Sequence, residues 1–146
     1  MKDLKQFIKT TIREFLNENR ENITYSGQEV WDYFSKLISR HHSKYEDPIH
    51  NQHKEQILNN NYILKDILID DLLKNDVDLK DYVETQMDYY KEKWEGKNNK
   101  VYSYGLIGNS SFSDDVLIDG YHRLLQKIIN GDKTFKVFVP IKSKFN

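Results

Sequence analysis

The sequence predicts an α+β fold, with an all-helical stretch over residues 1–61 leading into a small mixed sheet with helices over residues 62–146. Three observations carry this reading. Through the first sixty positions apolar residues recur at three- and four-residue spacing, the period of one helix face. From Tyr62 onward short apolar runs alternate with helical patterns. Neither an internal repeat nor a long linker interrupts the 146 residues, a length that suits one compact domain with a helical extension.

The elements follow in order. Leu4, Phe7, Ile8, Ile12, Phe15 and Leu16 predict an opening helix, stopped by the polar stretch Asn17 to Asn22. Ser26-Gly27-Gln28-Glu29 matches a capping box, in which serine hydroxyl and glutamate carboxylate each satisfy an open backbone amide. It starts a second helix carrying Val30, Phe34, Leu37, Ile38 and His41 on one side. Asp47-Pro48 predicts a third helix, an acidic cap before a proline at the first helical position, running to about Leu58 and stopped by Asn59-Asn60-Asn61.

In the second half Ile67-Leu68-Ile69 predicts a short buried strand. Asp78 is expected to cap a helix with Leu79, Tyr82, Val83, Met87, Tyr90 and Trp94 at helical spacing, and Gly96 to Asn99 a turn. Tyr102, Tyr104 and Leu106 alternate as in a half-buried strand, Gly108 to Ser113 reads as a loop, and Val116-Leu117-Ile118 as a central strand. Tyr121, Leu124, Leu125, Ile128 and Ile129 define a helix closed by Asn130-Gly131, and Phe135, Val137 and Val139 a last strand before Pro140.

Composition removes several classes of function. Without cysteine there is no disulfide framework, no thiol catalysis and no cysteine-based zinc site. No apolar run reaches the roughly 18–20 residues that span a bilayer, so no membrane partner is expected. Charges at Lys2, Asp3, Lys5, Lys9, Arg13 and Glu14 break up any signal-peptide core, and a cytoplasmic location is expected. A net charge of −1 speaks against a broad nucleic-acid surface. The chain lacks alanine and uses 18 lysines but four arginines (Arg13, Arg20, Arg40 and Arg123), a bias typical of an AT-rich genome.

One of those four arginines stands at Asp119-Gly120-Tyr121-His122-Arg123, where a strand turns into a helix. With Tyr121, Leu124 and Leu125 on the core side, His122 and Arg123 point elsewhere while staying in the first turn. That turn has open amides and the positive end of the helix dipole. Glycine permits close backbone approach, arginine offers a bidentate fork for phosphate, and histidine a donor that titrates near neutrality. The bland reading of the same residues has Asp119 as a helix cap, Gly120 relieving strain, and His122 and Arg123 solvated.

The run Val116-Leu117-Ile118-Asp119-Gly120-Tyr121-His122-Arg123-Leu124, followed by a helix and Lys133-Thr134-Phe135-Lys136-Val137-Phe138-Val139, resembles the ParB/sulfiredoxin-like superfamily. Members show a strand, an Asp-Gly-His-His-Arg type of turn, a helix and a closing strand. Ile67-Leu68-Ile69-Asp70-Asp71-Leu72 resembles the strand that opens the domain, so the likeness covers roughly residues 62–140. It implies a phosphate- or nucleotide-binding turn at Gly120, His122 and Arg123, with Asp119 as the acid before it and Asp119 and His122 as candidate catalytic groups. ATP or another nucleoside triphosphate with Mg²⁺ is the implied cofactor, and phosphoryl transfer or NTP hydrolysis the implied chemistry. Branches of the superfamily include CTP-binding DNA segregation factors, sulfiredoxins, free-serine kinases and ParB-like nucleases. The chain departs from sulfiredoxins in lacking cysteine. It departs from segregation factors in lacking a paired-arginine turn, an arginine-rich box and a helix-turn-helix, and Lys100 to Ile107 replaces the usual proline-leading strand.

The N-terminal pattern Leu4 to Glu18 resembles leader helices of small tailed-phage proteins, which implies a bacteriophage origin and residence in the host cytoplasm. A second reading of function follows from it: a non-catalytic phage protein that docks on a host or virion protein through residues 1–20. A third is a small ParB-like DNA nuclease. Weaker constellations remain. His41, His42, His50 and His53, with Glu46 or Asp47, sketch a metal site without matching any ligand spacing. Asp114 and Asp115 near Asp119 suit Mg²⁺ on phosphate oxygens or a solvated loop. The aromatics Tyr82, Tyr89, Tyr90, Trp94, Tyr102 and Tyr104 suit base stacking or a core rim, and Lys133, Lys136, Lys142 and Lys144 form a short basic cluster.

Overall fold

A computed structural model describes residues 23–41, 48–74, 76–94 and 104–146. In chain order the elements are β1 (Thr24–Ser26), α1 (Gly27–His41), α2 (Pro48–Leu58), β2 (Asn61–Leu68), α3 (Ile69–Lys74), α4 (Val77–Trp94), β3 (Gly105–Gly108), β4 (Val116–Asp119), α5 (Tyr121–Ile129) and β5 (Thr134–Pro140). The strands form a five-stranded sheet in the order β1-β2-β5-β3-β4. It is mixed: β3 runs parallel to β5, while β1 with β2 and β3 with β4 are antiparallel. The protein is therefore α+β. The expected leader helix over 4–16, the Asp47 cap, the Gly96 to Asn99 turn and Tyr102 lie outside the described residues, as do the side chains of Leu37, Ile38, His41, His50 and Trp94.

The chain divides into two units, Met1–Leu64 with Pro140–Lys142 and Asn146, and Lys65–Val139 with Ser143–Phe145. In the first, the stretch over residues 1–61, expected to be all-helical, contains strand β1, which pairs Thr24, Tyr25 and Ser26 with Ile63, Tyr62 and Asn61, because strand pairing with β2 is decided by a segment distant in sequence. The capping box forms as the sequence predicts. The Glu29 amide donates to Ser26 Oγ at 3.1 Å, and the Ser26 amide donates to Glu29 Oε1 at 3.3 Å. Tyr25, Val30, Tyr33, Phe34, Ile57 and Tyr62 make the buried core of this unit. Gly27 is required by close approach, because a Cβ there would overlap the Ile57 carbonyl oxygen at the end of α2. The end of α2 at Leu58 matches the expectation, and the Asn60 side chain donates to the Gln56 carbonyl at 2.7 Å.

The second unit corrects several expectations. The strand expected at Ile67 to Ile69 begins at Asn61 and ends at Leu68, and Ile69 instead opens α3. Ile69 and Leu72, three apart, are both buried, and Asp70 and Asp71 place negative charge on the first turn of α3. Helical spacing and dipole complementarity outweigh the apolar run. Helix α4 is capped by Asp76, whose Oδ1 accepts the Leu79 amide at 3.0 Å, and not by Asp78. Asp78 lies two residues too late to cap and serves as first-turn negative charge.

The strand expected through Tyr102, Tyr104 and Leu106 is described from Gly105 to Gly108 as β3, with Tyr104 outside it, and all four residues of β3 are buried instead of alternating. Its place between β5 and β4 explains that burial. Conversely β4, expected as a central strand, is the outer strand of the sheet among the described residues, with Leu117 buried and Val116 and Ile118 only half-buried. An apolar run reports burial of strand faces and carries no information on hydrogen-bonded neighbours. Strand β5 is as expected and central, with Phe135, Val137, Phe138 and Val139 buried. Helix α5 ends at Ile129 before Asn130 and a left-handed Gly131 (φ 83°), as predicted.

Candidate functional site

The candidate turn is built by a bulged strand end, one left-handed glycine and the first turn of α5. On β4, Asp119 pairs with Leu106 and Leu117 with Ile107, so Ile118 is the extra residue of a β-bulge. Bulges at sheet edges re-aim the next side chain, here Asp119. Gly120 then takes φ 102° and serves as the N-cap of α5. Leu124 N–H donates to the Gly120 carbonyl at 2.9 Å, the first helical bond.

A Cβ on Gly120 would come within 2.9 Å of Gly105 Cα and 3.4 Å of the Phe135 ring. The close approach seen here is to strand β3. Gly105 in turn leaves room for Phe135, Leu117 and Val137. The two glycines let α5 begin hard against the sheet.

The N-cap residue of α5 is Gly120, which brings no side-chain cap of its own. The Asp119 carboxylate faces Arg123, with Oδ2 3.6 Å from Nη1, and the two side chains are 22% and 20% exposed. Arg123 is therefore largely withdrawn from solvent, contrary to the bland reading. Its Nη1 also lies 3.5 Å from the position a Gly120 Cβ would take, directly over the strand-to-helix junction. His122 is exposed as a residue but stands edge-on to two tyrosines of α4, Tyr90 at 5.2 Å and Tyr82 at 6.1 Å between ring centroids. Tyr121 packs on Tyr82 at 5.1 Å.

These tyrosines are the neighbours that sequence reasoning did not tie to the turn. Their spacing of eight on α4 puts Tyr82 and Tyr90 on one helix face, which was the available signal. Burial pushes the Tyr121 hydroxyl up to about 12, assisted by the negative charges of Asp76 and Asp78. The Tyr82 hydroxyl is also raised, by burial first and by Tyr90 second, and it has no hydrogen-bond partner. On its core side α5 buries Leu124 and Leu125, with Tyr121, Ile128 and Ile129 half-buried.

Arg123 stands in the first turn of α5, the end of a helix that carries a partial positive charge. The Mg²⁺ ligands drawn from Asp114, Asp115 and Asp119 do not come together. Asp119 faces Arg123, while Asp114 and Asp115 line a cleft of about 230 Å³ with Asp71, Asp76 and Lys144. There Asp115 Oδ2 accepts the Lys144 amide at 3.3 Å. Among the described residues no group of three or more His, Asp or Glu is placed to hold a metal ion. Of the histidine cluster, His53 Nδ1 lies 3.3 Å from Gln56 Nε2, and His42 lies outside the described residues.

The remaining candidates sort by the same geometry. Lys136 is 4.0 Å from Asp66, and Lys144 lies over the Phe145 ring at 5.5 Å, so part of the C-terminal basic cluster already has neighbours within the chain. Residues 1–20, proposed for partner docking, lie outside the described residues. Among the described residues no helix is long and apolar enough to cross a membrane. No family model, no curated protein and no solved structure matches the chain.

Proposed function

We propose that this protein binds a phosphate group, carried by a nucleotide or another phosphorylated ligand, at the Asp119-Gly120-Tyr121-His122-Arg123 turn. One observation supports the reading above others: Arg123, an arginine in a lysine-dominated chain, is largely withdrawn from solvent in the first turn of a helix whose N-cap residue is glycine. Such a start presents backbone N–H groups and a partial positive charge to an anion. A guanidinium beside it adds paired donors matched to phosphate oxygens. His122, held by tyrosine edges, supplies a further donor at the rim.

The resemblance to ParB/sulfiredoxin-like domains, with phosphoryl transfer or NTP hydrolysis as its chemistry, belongs to the same proposal. In it Arg123 and His122 neutralise charge on the phosphate. The test is a titration of ATP, CTP and GTP against the wild-type chain and Arg123→Ala. Saturable binding that Arg123→Ala removes is the expected result. Equal binding by both proteins, or by neither, would sink the idea. Release of inorganic phosphate from the nucleotide that binds, followed in wild type and His122→Ala, tests the transfer step separately.

A further inference from the structure

We propose that the segment Ser143–Phe145, which follows β5, is a releasable strap that holds the β3–β4 loop (residues 109–115) in a strained form and walls the cleft beside it. The loop ends on Asp115, which takes φ 54° and is the one non-glycine residue with a positive φ among the described residues. A side chain other than glycine keeps such a backbone where its surroundings over-determine it. Asp115 is held from two directions. Its amide donates to Asn109 Oδ1 at 3.1 Å, at the other end of the loop. Its Oδ2 accepts the Lys144 amide at 3.3 Å, which lies 29 positions away in the strap.

The strap has a fixed root and a free-standing arm. Ser143 is buried at 7% exposure, and its Oγ accepts the Phe145 amide at 3.1 Å, which turns the segment tightly. The Phe145 carbonyl accepts Lys65 Nζ, from β2, at 2.6 Å. One short segment therefore ties β2 to the residue at which the loop enters β4. Lys144 is exposed, and the bonds to Lys65 and Asp115 both lie in solvent, where a hydrogen bond adds little net stability. Those are the bonds that open when the arm lifts. Within the loop the Ser110 amide donates to the Ser113 carbonyl at 2.8 Å and the Ser113 amide to Ser110 Oγ at 3.1 Å, so the loop responds as a unit to the backbone of Asp115. Lys144 and Phe145 also line the cleft of about 230 Å³ with Asp71, Asp76, Asp114 and Asp115, and Lys144 is the only cation among its described lining residues. Lifting the strap opens that cleft and takes the cation away from its carboxylates.

The test is amide hydrogen exchange, resolved by residue with NMR, on the full chain as wild type, Lys65→Met, Asp115→Gly and the double variant. Methionine keeps the length of Lys65 without its donor, and glycine takes the left-handed backbone unaided. Lys65→Met is expected to speed exchange of the Lys144 amide, and with it the Ser113 and Asp115 amides, by about two- to tenfold, the scale of one solvent-facing hydrogen bond. In Asp115→Gly the Lys144 amide loses its acceptor and exchanges faster, while the Ser113 amide should stay as slow as in wild type. Adding Lys65→Met to Asp115→Gly should leave it there, which isolates the coupling. Faster exchange at Lys144 with unchanged Ser113 and Asp115 amides in Lys65→Met shows a strap that lifts without the loop, and overturns the proposal. An equal gain at Ser113 from Lys65→Met on both backgrounds, or a fast Ser113 amide in Asp115→Gly alone, overturns it too, because the left-handed Asp115 is then not the link. Unchanged Lys144 exchange in Lys65→Met removes the fastening to β2 and the strap with it. Thermal unfolding of each protein is measured alongside, and Lys65→Leu takes the place of Lys65→Met if the latter does not fold.

Discussion

Gly120 carries two demands at once, a left-handed backbone (φ 102°) and a bare Cα pressed to within 2.9 Å of Gly105. An alanine there strains the backbone by about 1–3 kcal/mol and must also push strand β3 away. Gly120→Ala is expected to lower the urea midpoint by at least that much, and an unchanged midpoint would show that the junction relaxes freely. A neighbouring residue makes a pH prediction. The hydroxyls of Tyr121 and, in the first unit, Tyr62 are pushed up to about 12 by burial, against 10.0 for an exposed tyrosine. With the folded value above the unfolded one, the folded chain keeps its protons after the unfolded chain has lost them. Stability is therefore complete below pH 10 and falls as the pH rises from 10 towards 12. Urea unfolding across that window, with tyrosinate absorbance of the folded chain, checks both the direction and the late titration.

Helices begin where side chains replace missing backbone partners, and the two described caps show how far local chemistry reaches. The Ser26 and Glu29 box was legible because both partners lie within four residues. For α4 the sequence offered two acids two residues apart, and only the backbone path decided that Asp76 caps and Asp78 does not. Asp76→Ala should cost about 0.5–2 kcal/mol by loss of that cap, while Asp78→Ala should cost only the smaller dipole contribution of about 0.3–1 kcal/mol. Equal losses would return the cap to Asp78. The strand assignments failed in the opposite way. Apolar runs located β4 and β5 well, but among the described residues β4 is the outer strand and β3, expected to be half-buried, is interior. Strand neighbours come from pairing between distant segments, which no local period records.

At the scale of the molecule, the second unit is held by apolar residues from elements far apart in sequence. Leu106 and Ile107 on β3, Leu117 on β4, Leu124 and Leu125 on α5, and Phe135 to Val139 on β5 include its most buried side chains. The candidate turn sits on this core through Leu124 and Leu125, the two residues that follow Arg123. Leu125→Ala is expected to cost about 2–5 kcal/mol, as buried leucine truncations do. It should also weaken nucleotide binding in proportion to the unfolded fraction, whereas Arg123→Ala should abolish binding at nearly unchanged stability. Denaturation and titration on the two variants separate support of the site from membership in it.

The sequence by itself determined the α+β class, the ends of α2 and α5, the capping box of α1 and the junction at which a rare arginine meets a helix start. All of these depend on residues within a turn or two of each other, where propensity, capping and periodicity act directly. Only the tertiary structure decided that a bare Gly120 lets α5 start hard against strand β3, that Tyr82 and Tyr90 flank His122, and that Asp119 faces Arg123. Each of those facts depends on a bulge, a strand neighbour or a helix face brought from elsewhere in the chain. Contacts of that kind are set by packing across the fold, and local sequence carries the residues for them without the distances.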